Sequence, residues 1–78
     1  MNSVKKISDN SVSIEGYKGG SFDGIMIYNV LGNLVKSQTY KQVPQANVDV
    51  SDLPDGSYIV EIISGGSKQQ QKIVIQKK

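Results

Sequence analysis

Apolar residues in this chain recur at every second position in short runs closed by turn-forming clusters, and no other pattern constrains its fold as strongly. Val12 and Ile14 alternate with Ser11, Ser13 and Glu15; Ile25 and Ile27 alternate with Met26 and Tyr28; Val48 and Val50 alternate with Asn47 and Asp49. Successive side chains of a strand point to opposite faces, so a period of two describes strands with one face turned to a core. In residues 57–63 one face carries Tyr58, Val60 and Ile62 and the other Ile59, Glu61 and Ile63, with Glu61 marking the second face as the wetter one. Residues 71–76 form a last strand with Ile73 and Ile75 inward. Nowhere do apolar residues repeat at helical spacing over the ten or more residues a stable helix needs, and β-branched side chains dominate the apolar set. Helix content should be near nil.

The punctuation falls at Asp9-Asn10, Gly19-Gly20, Gly32-Asn33, Pro44-Gln45, Pro54-Asp55-Gly56 and Gly65-Gly66. Short strands separated at such intervals, roughly 8–12 residues, predict an antiparallel sandwich or barrel. Residues 64–67 are short enough for a hairpin whose glycines take positive φ. Residues 29–33 reverse the chain with Gly32 left-handed. Residues 34–40 read as a half-exposed strand, and residues 4–7 as either a short edge strand or a frayed lead-in, so that residues 1–10 are a linker or an edge.

At 78 residues and 8.5 kDa the chain makes one small domain. A domain of this size buries only about 60% of its unfolded surface, which leaves little for a deep catalytic cavity. No run reaches the roughly 18–20 apolar residues of a membrane-spanning helix, and residues 1–9 hold no apolar stretch of a secretory signal. An exported chain of this kind would be part of a longer precursor. Net charge is +2, and every cation is a lysine. Without arginine there is no guanidinium fork for phosphates or base edges, so nucleic acid is a poor partner. The absence of cysteine and histidine removes thiol chemistry, the usual neutral-pH base and the commonest metal ligands. A serine–lysine nucleophile would remain, but no spacing positions one. We therefore expect no catalysis, no cofactor and no metal.

Two stretches resemble the C-terminal sorting domains of the type IX secretion system of Bacteroidetes. Ile25-Met26-Ile27-Tyr28-Asn29-Val30-Leu31-Gly32-Asn33-Leu34-Val35 is similar to that family's strand, Leu-Gly turn and returning strand. Val48-Asp49-Val50-Ser51-Asp52-Leu53-Pro54-Asp55-Gly56-Ser57-Tyr58-Ile59-Val60-Glu61-Ile62 is similar to its apolar alternation, Leu-Pro-x-Gly turn and Tyr-x-Val strand, followed by a glycine hairpin and a lysine-bearing last strand. The match runs over about residues 11–78. The resemblance implies an all-β, immunoglobulin-like antiparallel sandwich of about seven strands, without catalysis, carried behind a cargo domain. It also implies passage through the periplasm, recognition by the outer-membrane translocation machinery, removal by a cell-surface peptidase, and release or surface attachment of the cargo. The motif and recognition candidates it marks are Gly32, Leu53, Pro54, Gly56, Tyr58, Lys72, Lys77 and Lys78.

Each candidate also has a plainer reading. Leu53-Pro54-Asp55-Gly56-Ser57-Tyr58 can be the recognised element or simply build a corner, with Tyr58 placed where immunoglobulin-like folds bond a tyrosine hydroxyl back to upstream backbone. Asp49, Asp52 and Asp55 lack the spacing of a calcium loop and read as solvated turn carboxylates. Lys68, Lys72, Lys77 and Lys78 either meet an acidic groove on a partner or keep the last strand soluble and its edge unpaired. Tyr17, Tyr28 and Tyr40 are candidate contacts, though a chain without tryptophan offers a poor sugar platform. The rival function is a passive immunoglobulin-like spacer, or an adhesion or carbohydrate-binding module, and either reading allows an edge-strand dimer.

Overall fold

The computed structural model describes residues 3–8, 10–16 and 20–76, with side chains for 10–16 and 20–76. Among these are seven strands and no helix: β1 (Ser3–Ser8), β2 (Ser11–Glu15), β3 (Phe22–Asn29), β4 (Leu34–Val43), β5 (Gln45–Asp49), β6 (Gly56–Ser64) and β7 (Ser67–Ile75). They form two antiparallel sheets, β1-β2-β5 and β4-β3-β6-β7. Strands two, three, five and six thus divide between the layers as they do in immunoglobulin-like sandwiches, with the fourth strand lying beside the third.

The alternation read from the sequence is what holds the layers together. Val12, Ile14 and Val48 from the three-stranded sheet and Ile25, Ile27, Tyr58, Val60, Ile62 and Ile75 from the four-stranded sheet close over one core with Phe22, Val50 and Leu53. Burying a Val, Ile or Phe side chain contributes roughly 1.5–3 kcal/mol, so this cluster supplies most of the driving force. Tyr40, Val43, Ala46 and Ile73 pack against its margin.

Strict alternation fails along β3 and its neighbour β4. Ile25 and Ile27 point inward from odd positions, whereas Phe22, fully buried, does so from an even one. The β3–β4 register shifts between Phe22 and Gly24, opposite a β4 segment in which Gln42 has a φ of 51°. The extra residues fall on β4, so that Tyr40 and Val43, of opposite parity on that strand, both pack against the core. Phe22 then meets Tyr40 edge to face, with ring centroids 5.6 Å apart and planes at 86°.

Other boundaries moved for similarly local reasons. Residues 4–7 belong to β1, an edge strand paired with β2, rather than to a frayed lead-in. The last strand starts at Ser67 instead of residue 71, because a two-residue turn at Gly65 and Gly66, both at positive φ, pairs Ser64 with Ser67 and carries the ladder on to Gly56–Ile75. The run of glutamines joins it: Gln69 and Gln71 share the partly covered face with Ile73 and Ile75. Finally, Glu61 lies on the outer face as expected but is only 7% exposed, because Gln70, directly opposite on β7, lays its amide against the carboxylate at 3.0 Å.

Candidate recognition surface

The corner between β5 and β6 is fixed from both ends. Val50 N–H donates to the Asn10 carbonyl at 2.7 Å and Leu53 N–H to the Val50 carbonyl at 3.0 Å. Asp49 Oδ1 accepts from the Ser51 amide at 2.9 Å. Leu53 drops into the core while Pro54 and Asp55 stay exposed. Tyr58, itself in the core, donates its hydroxyl to the Pro54 carbonyl at 2.6 Å, as the corner reading expected. Gly56, at φ +154°, sits against the Tyr58 ring, where an added Cβ would lie 3.9 Å from Cε2. The Lys36 ammonium pairs with Asp52 at 3.1 Å, tying the β4 edge to this corner.

The β3–β4 reversal is equally well bonded. Asn29 Oδ1 accepts from the amides of Leu31 and Asn33, both at 3.0 Å. The Gly32 amide donates to the Asn29 carbonyl, and the Asn29 amide to the Asn33 carbonyl, again at 3.0 Å. Gly32 takes φ +85° with open space around it, so the left-handed backbone rather than crowding is what calls for glycine there. An asparagine side chain satisfying two turn amides is the chemistry that favours this residue in loops.

These two features border one groove of about 650 Å³ on the outer face of the four-stranded sheet. Tyr28 lies opposite Ile59, and Ile59 opposite Lys72, so the floor passes from aromatic to aliphatic to cationic across three strands. Val30 and Gly32 form one lip, Ser57 and Tyr58 lie at the end, and Glu61 with Gln70 close the far side. Tyr28 also bonds the Met26 sulfur at 3.2 Å, which fixes the ring on this face.

Of the residues singled out from the sequence, Gly32, Tyr58 and Lys72 line the same groove, although they lie far apart in the chain. Leu53 is in the core, and Pro54 and Gly56 shape the corner. Lys77, Lys78 and Tyr17 lie outside the described residues. Lys68 stands on the outer face of β7 at the hairpin end. Tyr40 packs on Phe22 instead of facing a ligand, and its burial raises the phenol above its ordinary value of 10.0. Among the described residues no group of acidic side chains converges for a metal ion; Asp49 and Asp52 serve the backbone and Lys36. The sequence reading put Ile59 on the wetter face of its strand but gave neither it nor Val30 a role. Adjacent aliphatic residues within a tight turn, Val30 and Leu31, were the available signal.

What this defines first is a class: an immunoglobulin-like β-sandwich that presents bonded turns and an open groove. Residues 4–76 match the family model of the secretion system C-terminal sorting domain, and the chain belongs to that family, the sorting tails of type IX secretion. It is accordingly a sorting signal, associated with export to the cell surface or medium. No curated protein is significantly similar to the chain.

Proposed function

We propose that the folded sandwich is the form in which this signal is read: the outer-membrane translocation machinery grips its outline while a cargo domain, attached on the N-terminal side, follows it from the periplasm to the outside. In this reading the domain does no chemistry of its own, and a surface peptidase removes it after passage. The observation that carries the proposal is the convergence of both family motifs, through Gly32 in one and Tyr58 in the other, on a single groove that β7 completes with Lys72. Recognition of this kind needs preformed turns and edges rather than a reactive group.

The test is a periplasm-directed reporter fused ahead of residues 1–78 in a host that carries this secretion route. Reporter in the medium or on the surface is the expected result. Reporter held in the periplasm overturns the proposal and leaves the spacer or adhesion reading.

A further inference from the structure

Val30 and Leu31 are 75% and 80% exposed at the tip of a turn that four hydrogen bonds hold rigid. Tight turns ordinarily carry polar residues, and two aliphatic side chains held out into water contribute nothing to this fold. Val30 stands at the lip of the groove whose floor is Tyr28, Ile59 and Lys72, with Leu31 next to it in the turn and Val74, 56% exposed, next along the same face of β7. The carboxylate lining this groove, Glu61, is nearly covered and already accepts a hydrogen bond from Gln70, so the charge the groove offers to an incoming group is the Lys72 ammonium.

From this geometry we infer that the groove docks an extended segment of a protein partner bearing an apolar side chain and, two residues away, a carboxylate. A side chain seated between Tyr28 and Ile59 lies about one and a half strand spacings, roughly 7 Å, from Lys72. Alternate side chains of an extended chain are separated by nearly the same distance, about 6.6 Å, so the apolar group fills the floor as the carboxylate reaches the ammonium. The Val30 lip covers the apolar contact and excludes water, which strengthens the adjoining ion pair. The inference rests on the sorting reading, and it assigns the docked segment to the machinery that reads the signal.

Two blocked peptides, one containing Leu-Ser-Glu and the other Leu-Ser-Lys, are titrated into the isotope-labelled chain and followed by amide chemical shifts. The acidic peptide should shift Tyr28, Val30, Ile59 and Lys72, and the basic one should bind about tenfold more weakly, a preference that Lys72→Glu reverses. No localised shift at about 10 mM peptide, above the millimolar affinity of so small a contact, overturns the inference. Equal response to both peptides does so too, as does a response at these residues that follows protein concentration without peptide, which would make a second copy the occupant. In cells, the reporter fused to the Val30→Ser variant or to Lys72→Glu should be exported about tenfold less, with unchanged thermal unfolding. Full export of both variants beside an exported unaltered fusion sinks the docking site and leaves the sorting role intact. Failure of the unaltered fusion itself removes the sorting role, and this inference with it.

Discussion

Single side chains here divide sharply between those that hold the fold and those that shape its surface. Tyr58 does both, because its ring is in the core and its hydroxyl fixes the corner that ends the groove. Tyr58→Phe keeps the ring and leaves the Pro54 carbonyl without its donor, which should cost about 1–2 kcal/mol and lower Tm by roughly 5–10 °C in a domain of this size. An unchanged melting curve would show that water replaces the hydroxyl at no cost. Tyr40 carries a different signature. Burial disfavours its phenolate, so the folded chain holds that proton more tightly than the unfolded one. The stabilisation is therefore complete below the ordinary phenol pKa of 10.0 and is lost as pH rises from there through the raised folded value. Lysines titrate in the same range, so the informative comparison is between the native chain and Tyr40→Phe in denaturant melts from pH 7 to 11. The variant should lose less stability above about pH 10, and parallel curves would contradict this.

At the scale of elements, the reversals were the most legible part of the sequence. Gly32, and the pair Gly65 and Gly66, occupy the positive-φ positions that their flanking strands required. The core faces of β2, β5 and β6 were equally plain, since Val12, Ile14, Val48, Tyr58, Val60 and Ile62 follow strict alternation. The inward placing of Tyr40 and Val43 was not, because a bulge spends residues on β4 without any compositional mark, and Gln42 looks like any polar strand residue. The β7 glutamines were missed for a related reason: ladder pairing with β6 recruits them whatever their own preference. The groove itself was legible only as separate motifs, since nothing local states that Tyr28, Ile59 and Lys72 stand in one row. β7 also closes the core through Ile75 and covers the edge of β6. Deleting residues 73–78 should abolish cooperative unfolding and export together. A truncated fusion that still leaves the cell would show that this strand is not part of what is read.

At the scale of the whole molecule, the chain is a small sandwich whose stability rests on one core and whose outer face holds the surface we assign to recognition. If the outline is what the machinery grips, then destroying the core must destroy the signal even with every motif residue on that face unaltered. Val60, fully buried between Ile27 and Gln71 in the ladder, is the position that tests this. An aspartate there places an unpaired charge in the core, a cost of several kcal/mol that so small a domain cannot absorb. The decisive measurement is the fraction of reporter outside the cell for fusions to the native chain and to Val60→Asp, expressed side by side. The account predicts that the native fusion is exported and the variant stays in the periplasm, whereas export of both would mean that a linear motif is read without the fold.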